Sequence, residues 1–210
     1  MSTWVIIPVK PLNRAKSRLT AVLTPEQRRQ LAESMFRHVL EVVRDVPQVI
    51  GTLVISRDSK ALSIARDYDA KTVQETGTPE LNSALMRATQ VVASWWVESV
   101  LVLPADLPLV TSDDIVSMIR LGEGIPSVVI ATDQNRDGTN ALFMRPPGVI
   151  PYAYGPGSYQ RHVAYAREAH IDVKSYYSEQ LALDIDVSSD LDTYKRLARQ
   201  TNFQQLFVSD

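Results

Sequence analysis

Two rhythms of apolar positions alternate along this chain. Short runs rich in Val, Ile and Leu, at residues 4–9, 51–56, 71–74, 99–103, 128–131, 139–144 and 171–176, read as strands. Between them apolar residues recur at helical spacing. Thr24-Pro25-Glu26-Gln27 is a capping box with proline in the first turn, and Leu31, Met35, Val39 and Val42 beyond it form one apolar stripe. Asp58 caps a helix through Leu62 and Ala65. Residues 81–96 form a helix with a broad apolar face, and Thr111 with Asp114 caps the next. Two more helices are expected over 158–169 and 188–199. Strands alternating with helices predict βα units and a mostly parallel sheet. Ser99-Val100-Leu101-Val102-Leu103 lacks polar alternation, which predicts a central strand covered on both faces.

No repeat, low-complexity tract or linker divides the pattern. One α/β domain over residues 1–200 is expected, followed by a tail, 201–210, without periodicity, and a length of 210 residues suits a single domain. Residues 133–158 are the least regular, with four of the eight glycines and four of the twelve prolines. Loops of this kind on an α/β scaffold carry binding sites.

Composition narrows the chemistry. A formal net charge of −2 creates no field for nucleic acid or a membrane surface, so an anionic ligand must be met by a local cluster of cations. The absence of cysteine removes disulfides, thiolate metal ligands and a cysteine nucleophile. No basic region precedes the first strand, and the apolar run before Lys10 is too short for a signal segment or a membrane span. A soluble, cytoplasmic protein is expected.

Four segments could carry chemistry. Pro8 to Leu19 leaves the first strand and holds Lys10, Arg14, Lys16 and Arg18, with no acidic residue before Glu26. Such a loop is either a solvated basic segment or a triphosphate site at the carboxyl end of a strand. Gly-Lys-Ser/Thr and Gly-x-Gly-x-x-Gly motifs are absent, which removes the main support for Walker-type and dinucleotide-binding readings. Asp106, between Pro104 and Pro108, follows the expected central strand; it is a turn residue or a ligand for Mg²⁺. Asp184-Ile185-Asp186, read as extended, puts two carboxylates on one face, an unfavourable pairing unless a cation or donor offsets it. Asp186 is the better metal ligand of the two, although one of them could cap the helix beginning near Ser188. Asp137-Gly138-Thr139-Asn140 and Tyr154-Gly155-Pro156-Gly157-Ser158 are common turns singly; together they suggest a second anion pocket at a helix N-terminus. His162 beside it is read as a surface or packing residue, not a general base.

In order and spacing these segments resemble the CofC/FbiD family of coenzyme F420 biosynthesis. The resemblance rests on Ile7-Pro8-Val9-Lys10, Ala15-Lys16-Ser17-Arg18-Leu19, Leu81-Asn82-Ser83-Ala84-Leu85, Ala105-Asp106-Leu107-Pro108, Asp137-Gly138-Thr139-Asn140, Tyr154-Gly155 with Ser158 and His162, and Asp184-Ile185-Asp186 with Asp190-Leu191. It implies a Rossmann-like nucleotidyltransferase fold with a mixed, mostly parallel sheet. It also implies transfer of GMP from GTP to a small three-carbon phospho-acid, with Mg²⁺ as cofactor. By resemblance Asp106 and Asp186, with Asp184 the less certain, match metal ligands. Thr139, Gly155 and Ser158 match acceptor-binding positions, and Asn82 one near the nucleotide. Pro8, Lys10 and Lys16 take the place of the glycine-rich nucleotide loop of related families, with Lys16 and Arg18 holding phosphates. Phosphoenolpyruvate is favoured over 2-phospho-L-lactate as acceptor, and the product would pass to the next F420-pathway enzyme. The alternatives are another acceptor, such as a molybdopterin or a sugar phosphate, and a non-catalytic nucleotide-binding domain.

Overall fold

Side-chain alternation builds the sheet, as the strand registers of a computed structural model make plain. The structure describes residues 2–77 and 80–200; the tail expected at 201–210 lies outside the described residues. The strands are β1 (Thr3–Val9), β2 (Val49–Ser56), β3 (Lys71–Gln74), β4 (Ser99–Val102), β5 (Ser127–Thr132), β6 (Thr139–Arg145) and β7 (Val173–Tyr176). Among the described residues they form one sheet in the order β3-β2-β1-β4-β6-β5-β7. Neighbours are parallel except where β6 runs antiparallel to β4 and β5. The sheet is therefore mixed and mostly parallel, as expected.

Each strand sends alternate residues to opposite faces. Val5, Ile7, Leu101, Val129 and Phe143 pack beneath helices α1 (Pro25–Arg44), α2 (Ser59–Asp67) and α4 (Ser112–Leu121). Ile6, Val100, Val102, Ile130 and Leu142 pack beneath α3 (Leu81–Ala93) and α5 (Ser158–Glu168). All four residues of β4 are buried, which makes it the central strand that its unbroken apolar run predicts. The capping boxes at Thr24 and Thr111 are both formed.

A third apolar cluster positions the chemistry. Helix α6 (Ser188–Gln200) docks Tyr194, Leu197 and Ala198 against Leu31 and Met35 of α1, together with Leu19, Leu109, Leu183 and Ile185. It clamps the segment before α6 onto the loop after β1.

Three details depart from the sequence reading. The helix expected over 81–96 ends at Ala93, and Trp96, at φ 58° and 93% exposed, turns the chain instead. The last strand begins at Val173 rather than at 171, because Ile171 is buried beneath α5 in the preceding turn. Residues 184–186 are not a strand: they find no edge to pair with and are held by side chains. Leu183 and Ile185 still point inward, but Val187 is exposed, so the alternation stops one residue early. No helix among the described residues is long and apolar enough to cross a membrane.

Candidate active site

The chain leaves β1 through a loop held at both ends by buried leucines, Leu12 and Leu19. Asp58, which caps α2 through the Lys60 N–H, also accepts the Leu12 N–H at 2.7 Å, tying the loop to α2. Between the leucines Lys16 adopts a left-handed backbone, φ 56° and ψ 38°. That conformation is uncommon for a residue with a Cβ, and strain of this kind concentrates at functional positions. It turns Lys16 inward, with 4% of its side chain exposed, while Lys10, Arg14 and Arg18 stay at the surface.

The inward turn brings the separate charged segments together. Lys16 Nζ donates to Asp106 at 2.6 Å and to Asp186 at 3.2 Å. Arg18 reaches Asp186 from outside at 3.4 Å. Asp106 stands in the turn after β4, between buried Leu103 and Leu107. Asp186 is aimed by Asp190 of α6, whose carboxylate accepts the N–H groups of Asp186 and Val187 at 2.8 and 2.7 Å. Asn140 donates to the Leu181 carbonyl at 3.0 Å and fixes the start of the same segment against β6.

Electrostatics follow from this clasp. Burial works against the charge on Lys16, but Asp106 and Asp186 outweigh it and hold its pKa above the usual lysine value. Burial also opposes ionisation of Asp106, yet the charge and hydrogen bond of Lys16, with Lys10 further off, lower its pKa. Asp184 is different. Burial, then the charges of Asp106 and Asp186, push it up to about 6 against the opposing pull of Lys16. One ammonium thus only partly offsets three carboxylates.

The donor chemistry suits a magnesium ion. Among the described residues no three acidic or histidine side chains converge into a ready-made cage. Asp106 and Asp186 instead face one another across Lys16, whose ammonium stands in for a cation. Mg²⁺ is commonly held by one or two carboxylates together with substrate phosphates, so an incomplete protein shell with surplus negative charge fits it.

A second polar cluster lies at the same end of the sheet. The pairing Val102↔Leu142 runs the residues after β4 beside those before Leu142, so Thr139 and Asp106 share one edge. Thr139, Ser158 and His162 are all buried. The Ala153 N–H donates to His162 Nε2 at 2.9 Å, which leaves the proton on Nδ1 to donate to Thr139 Oγ1 at 3.0 Å. Ser158 Oγ donates to the same oxygen at 3.2 Å, so the Thr139 hydroxyl hydrogen is left to point elsewhere. Gly155, at φ 123°, shapes the adjoining loop in a conformation that side-chain-bearing residues avoid. Arg161 clamps that loop through the Ala153 and Pro156 carbonyls.

Two expectations change here. The N-terminus of α5 is not a bare anion site, because Asp137 takes the Gly157 N–H with its carboxylate and the Tyr159 N–H with its carbonyl. The Thr139 and Ser158 hydroxyls lie beside that terminus. Asn82 is engaged at both ends of its amide by the Tyr154 backbone, at 2.7 and 3.3 Å, so it docks α3 to the loop around Gly155.

His162 is the residue that sequence reasoning undervalued. Burial, and then the charge of Arg161, lower its pKa to about 4 from 6.5. Between these values the unfolded chain binds a proton that the folded chain refuses. The stabilisation is therefore whole above pH 6.5 and fades by about 3 kcal/mol as the pH falls toward 4. Urea unfolding of the native protein between pH 7 and 4.5 is expected to show this extra slope, and His162→Asn to lack it; equal slopes would remove the assignment.

Known proteins are similar to this chain in sequence. Residues 3–195 match the family model described as "Guanylyl transferase CofC like". A phosphoenolpyruvate guanylyltransferase of Rubrobacter xylanophilus is 38% identical over 192 residues, covering 91% of this chain and 92% of that protein. A 2-phospho-L-lactate guanylyltransferase of Methanothermobacter thermautotrophicus is 33% identical over 192 residues, covering 91% and 83%. In fold, a solved cytidylyltransferase from Leptospira borgpetersenii superposes with a TM-score of 0.63 at 15% identity, over 100% of this chain and 89% of its own. The chain belongs to the CofC-like guanylyl transferase family.

Proposed function

We propose that this protein transfers GMP from GTP to a three-carbon phospho-acid, phosphoenolpyruvate in preference to 2-phospho-L-lactate, releasing pyrophosphate in coenzyme F420 biosynthesis. The observation that carries the reading is the clasp of Lys16 by Asp106 and Asp186 at the ends of β1 and β4, beside the Thr139–Ser158–His162 cluster. Relatives named for phosphoenolpyruvate, at up to 38% identity against 33% for the phospho-lactate enzyme, support the choice of acceptor.

A phosphate monoester loses its second proton with a pKa of about 6, so the acceptor oxygen is already a nucleophile at neutral pH and needs no strong general base. That oxygen forms a bond to the α-phosphorus of GTP. The bond from the α-phosphorus to the bridging oxygen breaks, and pyrophosphate leaves with the electron pair. The chain's work is to bring two anions together and offset their charge. Lys10, Lys16 and Arg18 face the triphosphate from the loop after β1, with Pro8 setting the exit of the strand. Thr139 and Ser158 orient the phospho-acid, and Gly155 lets the backbone approach it. Asp106 and Asp186, with Asp184 beside them, would hold Mg²⁺, which supplies charge neutralisation and a template for the phosphates.

Pyrophosphate release from GTP and Mg²⁺ with each of phosphoenolpyruvate, 2-phospho-L-lactate and 3-phospho-D-glycerate tests the reading. Release is expected with the first at the highest kcat/KM. No release with any three-carbon phospho-acid would reject it.

A further inference from the structure

The reaction above leaves open how the base is chosen, and the topology says where to look. Phosphates gather at the ends of β1 and β4, and the acceptor lies on the β6 side. On that reading the nucleoside would run the opposite way, over the carboxyl ends of β2 and β3, which lie on the other side of β1 from β4. Two strand spacings of about 4.8 Å each span a distance comparable with a nucleoside.

Arg57, Glu75 and Arg87 meet at that place. The pairing Ser56↔Gln74 sets Arg57 and Glu75 side by side just past the strands, and the Glu75 N–H donates to the Ser56 carbonyl at 2.9 Å. Arg57 Nε lies 3.5 Å from Glu75 Oε2, and Arg87 of α3 lies 3.7 Å from Oε1. A free arginine–carboxylate fork closes to about 2.7–2.9 Å. Here Arg57 is held by the Gly77 carbonyl and Arg87 by its helix, so the fork stays open. Glu75 Oε1 and Arg57 Nε are consequently buried without a hydrogen-bond partner among the described residues. The Glu75 side chain is 13% exposed and that of Arg87 46%. A buried polar group left unpaired is costly, and beside the open arginine–carboxylate fork a ligand edge would satisfy it.

Guanine has the matching edge: two adjacent donors, N1–H and the N2 amine, with the O6 acceptor alongside. A carboxylate accepts both donors at once. Adenine and cytosine would set a ring-nitrogen lone pair against it, and uracil offers a single N–H. We propose that Glu75 reads the N1–H and N2 amine of guanine, that Arg87 donates to O6, and that Arg57 holds the carboxylate in place. This rests on the guanylyl-transfer reading of the neighbouring site.

Base exchange tests it on the full chain. In Glu75→Gln the amide keeps one acceptor and gains a donor, which matches xanthine, where a carbonyl replaces the N2 amine. The expected result is a loss of about 5- to 150-fold in kcat/KM for GTP, the range of one bidentate base contact. A rise with XTP should accompany it, reversing the order of the two. A poorly folded variant cannot gain XTP activity. An unchanged preference for GTP over XTP, or an equal loss with both at an unchanged melting temperature, overturns the proposal. Should Glu75→Gln fail to fold, Arg87→Gln on the outer face of α3 is read instead: GTP kcat/KM falls at least tenfold with the acceptor KM unchanged, and an unaltered GTP value overturns it. Calorimetric binding of GTP, ITP and XTP to the native protein separates this proposal from the reaction it rests on. Preference for GTP without transfer to any phospho-acid would sink the reaction and keep the base site; equal binding of all three would do the reverse.

Discussion

An Asp106→Asn protein is expected to stay folded, melting within about 6 °C of the native protein because Lys16 loses one of its two partners, and to release pyrophosphate roughly a thousandfold more slowly, the scale of losing one preorganised charge at a reacting phosphate. The two halves of this expectation have separate causes. Stability of the turn comes from Leu103 and Leu107, both fully buried on either side, and from Pro104 and Pro108, none of which the substitution touches. Asparagine keeps the size of the side chain and one acceptor oxygen. In the proposed reaction, turnover depends on the charge that asparagine removes. Asp106 makes the shorter of the two contacts to Lys16, and that contact holds its pKa below the usual carboxylate value although the group is partly buried. The check is initial pyrophosphate release from GTP and phosphoenolpyruvate over a Mg²⁺ titration, beside a thermal melt. Near-native turnover at saturating Mg²⁺ would sink the metal assignment. Unchanged GTP binding with no turnover would confirm that the carboxylate serves the transfer step.

Sheet and site were legible in the sequence to different depths. The strands were legible because burial on both faces leaves no room for polar residues, as in Val100 to Leu103, or forces strict alternation. The helix starts were legible because Thr24 and Thr111 announce their caps chemically. Residues 184–186 misled because their alternation is real but arises from packing against α1 and α6, without a strand neighbour. At the site, carboxylates and cations stood out by type. Which cation turns inward did not, because it depends on the left-handed backbone at Lys16, and nothing in a lysine's identity announces that conformation. His162 carried no pattern of its own; only the fold shows that both ring nitrogens are bonded. Glu75 and Arg57 stand next to one another only because β2 and β3 pair in register, a relation seventeen residues of intervening chain conceal.

Lys16 offers the sharpest test of how the charges depend on one another. Lys16→Met keeps most of the length of the side chain and removes the ammonium, leaving Asp106, Asp184 and Asp186 with Arg18 at the rim and Lys10 further off. Breaking a fully buried ion pair costs about 3–5 kcal/mol. Here the two aspartates are 36% and 46% exposed, so water takes up part of the loss and about 1–2 kcal/mol is the reasonable scale. For a chain of this length that lowers the melting temperature by about 3–6 °C in EDTA. Turnover should fall at least about a hundredfold, because in the proposed reaction Lys16 is a cation that meets the phosphates. Magnesium should then reverse part of the stability loss, since the carboxylates no longer share their charge with an ammonium. The Mg²⁺-induced rise in melting temperature should be larger in the variant than in the native protein. Equal melting in EDTA would mean that the clasp contributes nothing to stability. An equal Mg²⁺ response would mean that the ion and Lys16 do not draw on the same carboxylates.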